Sequence, residues 1–304
     1  MIQETHTFRS LGSGCEADLF LPKSEGQFPI VVMGQGLGSE RQFGDKNLIA
    51  ALVDAGIAVF AFDYRGFGGS EEILKQPRQM IDPDCQIEDW QSALKYVATL
   101  TKVDPARLVI WGSSFGGGHA LTVAAAAWAK AYKIKAVVAQ VPHCDSRSAF
   151  KHAGLKTALT GVGNGLKDLF GSRFGKTHTV PLVSADGDDT FAVLKHPGWY
   201  DGYMRIAADS TTWQNAIPAA SLLKIGTYNP IDTVEQINCP VLIVYGKNDP
   251  GVLPSDVERA ADMITHVERF CFDGDHFDVY DGGPLNAVAI EREVSFISRY
   301  LLEN

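Results

Sequence analysis

The sequence predicts an α/β protein, with a doubly wound, mostly parallel sheet and a helical insertion over one edge. Two observations point there. Short apolar runs of β-branched residues recur without polar alternation, as strands covered on both faces require. Longer helix-like segments separate them, and strand–helix alternation of this kind builds a parallel sheet.

In chain order, "PIVVMG" from Pro29 is the first buried strand, followed by a helix over Arg41–Ala55. "IAVFAFDY" from Ile57 is the second strand, and Gln86–Leu100 its helix. "RLVIWG" from Arg107 runs into a helix over Phe115–Tyr132, and "KAVVAQVP" from Lys135 follows. "CPVLIVYG" from Cys239, a helix over Pro254–Met263, the strand "VERFCFD" and the helix "NAVAIEREVSFISRYLLE" close the chain. Between these groups no buried-strand run occurs. Residues 143–231 instead hold glycines and the aromatic patches "DLFGSRF", "HPGWYDGYM" and "TTWQNAIP". So long and aromatic an insertion reads as a cap on a core of residues 1–142 and 232–304.

Composition narrows the function. The net charge of −9 over 304 residues argues against nucleic acid or an anionic membrane surface as a partner. The five cysteines are scattered with no C-x-x-C pair, so no disulfide framework or thiolate zinc site is expected. No segment is apolar enough to span a bilayer, and "MIQETHTFRSLGSG" does not read as a secretory signal. A soluble, cytoplasmic protein without metal or cofactor is the expectation.

The junction of the third strand with its helix carries the chemistry. Gly112-Ser113-Ser114-Phe115-Gly116 matches G-x-S-x-G. The motif has meaning only between a strand and a helix, where a strained turn lifts the serine hydroxyl above the sheet edge. That is its context here. Gly112 and Gly116 flank Ser114 symmetrically, where side chains would crowd the turn. Ser113 lacks that flanking and reads as turn packing.

A serine hydroxyl needs a base to take its proton and a third group to orient the base. In such a fold the order is serine, acid, histidine. Of eight histidines, only His266 and His276 lie beyond "CPVLIVYG". His266 enters a strand and reads as surface or packing. His276, in the loop "FDGDHFDVY", is the expected base. Asp249, in the turn after "VLIVYG", is the expected acid, with Asp145 after "KAVVAQV" as its rival. Asp275 and Asp278 stand too close to His276 in sequence to orient it. Acyl chemistry also needs donors for an oxyanion. The backbone N–H of Phe115 is one, and that of Leu37 in "GQGLGSER" the other. That loop is not G-x-G-x-x-G, and no ribose-binding acid is placed for it.

Together these residues resemble an α/β-hydrolase over nearly the whole chain. "DYRGFGGS" from Asp63 is similar to a D-x-R-G-x-G-x-S turn common in that superfamily. "RGFGGS", "PRQMIDPDCQIEDWQSALKYV", "WGSSFGGGHAL" and "VVAQVPHCD" more narrowly resemble small bacterial and fungal hydrolases of secondary-metabolite pathways, polyketide transferases and thiohydrolases among them. Many such relatives carry histidine where this chain has Gln35, so the hydrogen bonding of its loop must differ. The resemblance implies a serine acyl hydrolase or acyltransferase acting on an ester or thioester, its small-molecule acyl substrate free or carrier-bound. The alternative is a lyase, cyclase or isomerase using the same groups as acid and base; a non-catalytic ligand-binding protein is a third reading, disfavoured by the intact triad. Trp199 and Trp213 are the expected substrate contacts, with Phe170, Phe174, Tyr200 and Tyr203 as further cap aromatics. A homodimer is compatible with the sequence.

Overall fold

The structure, a computed structural model, describes residues 1–41 and 43–303. Gln42, inside the first expected helix, and Asn304 lie outside the described residues.

The chain opens with a hairpin of β1 (Ile2–Ser10) and β2 (Ser13–Leu21). Then follow β3 (Phe28–Gly34), α1 (Lys46–Asp54), β4 (Ala58–Phe62), α2 (Pro83–Val97), β5 (Val103–Ser113), α3 (Phe115–Ala125) and β6 (Ala136–Gln140). The insertion folds as α4 (Ser146–Ala153), α5 (Leu155–Ser172), β7 (Thr179–Val180), α6 (Trp199–Ala207), β8 (Ile217–Pro218) and α7 (Ser221–Ile225). The chain ends with β9 (Val241–Gly246), α8 (Pro254–Met263), β10 (Val267–Phe272) and α9 (Asn286–Leu301).

Eight strands form one sheet in the order β1-β2-β4-β3-β5-β6-β9-β10. Every neighbouring pair from β4 to β10 is parallel, and β2 runs antiparallel to both β1 and β4. α1 and α9 pack together on one face and α2 and α3 on the other, so the central strands are covered twice. Every residue of β4, β6 and β9 is accordingly buried.

Two differences from the sequence reading have local causes. The helix expected over Phe115–Tyr132 stops at Ala125, where Ala126 is extended and a 3₁₀ turn over Ala127–Tyr132 follows. α1 starts only at Lys46, so Arg41 and residues 43–45 belong to the loop leaving β3. The sheet's order places the ends of β3, β5, β6, β9 and β10 along one carboxyl edge, where open α/β sheets build their sites.

Candidate active site

Ser114 sits between β5 and α3, half-buried, at the head of the helix. Its φ of 53° is in the left-handed region, an uncommon place for a residue with a side chain. The surroundings hold it there. Its N–H donates to Gln140 O on β6 at 2.8 Å, and its carbonyl accepts from His143 N at 2.9 Å. A Cβ on Gly112 would run into the carbonyl oxygen of Gly116, and one on Gly116 into those of Gln35 and Gly34. Close backbone approach, rather than flexibility, demands glycine at both positions.

His276 opens a 3₁₀ turn after β10, and Asp249 lies in the turn after β9; both are buried. His276 Nδ1 is 2.6 Å from Asp249 Oδ2, and His276 Nε2 is 3.1 Å from Ser114 Oγ. A carboxylate only accepts, so Nδ1 carries the proton and Nε2 is left to accept from the serine hydroxyl. Asp249 divides its oxygens: Oδ1 accepts from the backbone N–H groups of Gly251 and Val252, at 3.0 and 2.8 Å. The turn thereby fixes the oxygen that fixes the imidazole.

The other candidates fall elsewhere. Asp145 caps α4 through the N–H groups of Arg147 and Ser148 and pairs with the guanidinium groups of Arg147 and Arg259. Partial burial pushes its carboxyl up, but these hydrogen bonds and charges outweigh that and hold it below the usual range. Asp275 and Asp278 close a capping box that shapes the turn of His276. His266 precedes β10, at the opposite end of that strand from His276.

The β3–α1 loop runs directly against the nucleophile. A Cβ on Gly36 would lie 3.1 Å from Ser114 Cβ. Leu37, the next residue, is buried and lines the cavity over Ser114. Its carbonyl accepts from Tyr203 Oη at 2.9 Å, and that of Gly38 accepts from Trp213 Nε1 at 3.0 Å. Phe115 N is the first amide of α3, one of the helix-end donors without an intrahelical acceptor. Beneath the loop, Gln35 is almost completely buried near Asp45. Desolvation, helped by the charge of Asp281, pushes the Asp45 carboxyl well up, against an opposing effect of Gln35.

Trp199 and Trp213 part company. Trp199 lines the cavity with its ring 4.7 Å from the His276 ring, and its indole N–H donates to Asp275 Oδ1 at 3.2 Å. Trp213 is not a cavity-lining residue. It stacks on Tyr203 at 5.3 Å and packs edge-on against Phe43 at 6.2 Å, bracing the Leu37–Gly38 loop from outside. Phe170 and Phe174 do not line the cavity and are 63% and 68% exposed.

A cavity of ≈ 180 Å³ opens over Ser114. The insertion supplies its apolar wall through Phe150, Ala158, Phe191, Leu194, Leu222 and Ile225. Three histidines, His143, His152 and His196, also line it. Burial pushes His143 down to about 4 and lowers His196, so both are neutral near pH 7. The order rule for the base passes over these residues because they precede the acid in the chain. The signal for His143 was its place in "VVAQVPHCD", directly past a core strand.

A strand, a strained serine, a helix, and a carboxylate and imidazole at the ends of the last two strands define an α/β-hydrolase site. The chain belongs to the alpha/beta hydrolase family, whose model matches residues 34–289. It is an enzyme of hydrolase or acyltransferase type. It is 35% identical over 288 residues to the quorum-quenching protein AidA of Acinetobacter baumannii, covering 94% of this chain and 91% of that one. It is 24% identical to the polyketide transferase ATR5 of Stachybotrys chlorohalonatus, over 99% of this chain and 96% of that one. Among solved structures, the α/β hydrolase GrgF of a Penicillium species superposes with a TM-score of 0.82 at 20% identity, covering 99% of each chain. No described helix is long and apolar enough to cross a membrane.

Proposed function

We propose that this enzyme cleaves or transfers acyl groups from esters or thioesters through an acyl-enzyme on Ser114. One observation carries the reading: the continuous hydrogen-bond chain Asp249–His276–Ser114 ends at the mouth of an apolar cavity. His276 Nε2 takes the serine proton as Oγ attacks the acyl carbon, and Asp249 steadies the imidazolium that forms. The N–H groups of Leu37 and Phe115 receive the developing oxyanion. His276 then returns the proton to the leaving alcohol or thiol. Water or another nucleophile, deprotonated the same way, releases the acyl group.

The acyl chain occupies the cavity under the insertion. Its ≈ 180 Å³ is small beside the roughly 300–1,000 Å³ of drug-sized sites, which favours compact acyl groups. Relatives named as a polyketide transferase and a quorum-quenching protein support an acyl ester, thioester or cyclic ester of secondary metabolism. The five free cysteines suit a reducing compartment, and we place the protein in the cytoplasm.

The test is a turnover panel of esters, thioesters and lactones of graded chain length, with Ser114→Ala as blank. Rapid quenching and mass spectrometry of the Ser114 peptide should show the substrate's acyl mass during turnover. Turnover that requires Ser114 yet leaves that peptide unmodified under burst conditions would reject the acyl-enzyme and assign acid–base chemistry of the lyase or isomerase kind.

A further inference from the structure

The outer face of α5 is the least expected surface of the molecule. Leu155, Leu159, Val162, Leu166 and Leu169 follow one another at alternating steps of four and three, the spacing of a coiled-coil seam. They are 76%, 61%, 42%, 54% and 47% exposed, and Phe170 and Phe174 extend the stripe. The opposite face is seated: Gly161 lies against Phe191 and Leu222, and a Cβ on Gly165 would press into Leu223. α5 is thus packed on one side and bare on the other.

Seven large apolar side chains at on the order of 100 Å² each amount to on the order of 700 Å². The largest apolar patch of a typical monomer is roughly 300–600 Å². A stable interface takes roughly 800 Å² from each partner. The exposed area therefore matches one half of a dimer interface.

We infer that a second copy of this chain covers the stripe, α5 packing antiparallel on α5 about a two-fold axis near the middle of the helix. The seam spacing selects a helix as occupant, since a flat lipid surface imposes no such register. A two-fold interface needs one patch that complements itself, and a uniform Leu/Val/Phe stripe does so. Gly163, on the flank of the stripe at mid-helix, has no atom within 4 Å of where its Cβ would stand, which leaves room for the partner backbone. The inner side of α5 lines the acyl cavity through Thr157, Ala158 and Gly161, so the partner would brace that wall from behind.

Light scattering and sedimentation velocity decide it. The wild-type chain should be a dimer at about 10 µM. Leu159→Glu with Leu166→Glu should give a monomer with unchanged far-ultraviolet circular dichroism and unchanged Ser114 labelling by a small fluorophosphonate. Should that variant fail to fold, Phe174→Glu, beyond the helix end, should weaken dimerisation at least about tenfold. A wild-type monomer at about 100 µM overturns the inference. So does a dimer that persists in a folded double variant, or a monomer that instead sediments with phosphatidylglycerol vesicles.

Discussion

The two walls of the site are built by different rules. On the sheet side nearly every contact is a short polar one with no slack: Ser114 tied to Gln140 and His143, Asp249 sharing its oxygens between His276 and two amides. On the insertion side the wall is apolar side chains such as Phe150, Phe191 and Leu222. Directional bonds set a reacting geometry to a fraction of an ångström, whereas apolar packing sets only volume. Chemistry and selectivity should therefore separate under mutation.

The largest effect belongs to the sheet side. Asp249→Asn should lower kcat by roughly 10²–10⁴, because the imidazole loses the partner that fixes its tautomer. Asp145→Asn should leave kcat near wild type and cost at most about 1 kcal/mol of stability, because Asn still caps α4 and only the ion pairs with the exposed Arg147 and Arg259 are weakened. Steady-state kinetics beside thermal melts check both, and a reversal of the two would move the acid to Asp145.

An intermediate effect belongs to the insertion. Phe150→Ala, or Gly161→Val, should change the preferred acyl length by about 10–100-fold in relative kcat/KM, the scale on which apolar pockets discriminate. Fluorophosphonate labelling of Ser114 should stay within a few-fold in both. Trp213→Ala sharpens the contrast from the other side. It should leave chain-length preference alone and slow all substrates alike, since the indole braces the Leu37–Gly38 loop outside the cavity. A changed length profile in Trp213→Ala would blur the two walls.

The smallest effect on turnover is expected behind the sheet. Glu293 is completely buried, its Oε2 accepting from Trp111 Nε1 at 2.9 Å. Burial pushes its carboxyl up from 4.5 to about 8, against the opposing Trp111 bond. The folded state therefore keeps a proton that the unfolded chain releases. The contribution of Glu293 to stability should accordingly fall as pH rises from 4.5 to about 8 and be flat beyond. Glu293→Gln, which imitates the protonated form, should remove that fall and raise the melting temperature at pH 8 with kcat unchanged. Parallel melting curves of the two proteins from pH 5 to about pH 8 would reject the buried acid as the cause.

Legibility in the sequence follows the same division. The core strands were readable because burial on both faces makes them continuous apolar runs. Ser114 and Asp249 were singled out because each follows such a run, and His276 because chain order leaves two late histidines and only this one follows the last strand, which is itself largely exposed. The structure brings the three side chains together. β1 escaped because "IQETHTFRS" lies at the sheet margin with most of its residues in contact with solvent, and β2, although mostly buried, escaped because Glu16 and Asp18 interrupt its apolar residues. The insertion escaped in detail because its aromatics look alike in one dimension. Trp199, Trp213 and Phe174 are a cavity wall, a loop brace and an exposed ring, and only packing tells them apart.

Trp199 belongs to α6, in the insertion, yet its ring lies on the imidazole of His276, and Gly251 must lack a side chain to admit it. The seam between core and cap along the chain is therefore not a seam in the machine. A chimera that exchanged residues 143–231 with a relative's would import a foreign roof for the base together with the new acyl pocket. Modular redesign of this enzyme has to cut on either side of α6, keeping Trp199 native while α4 and α5 are traded.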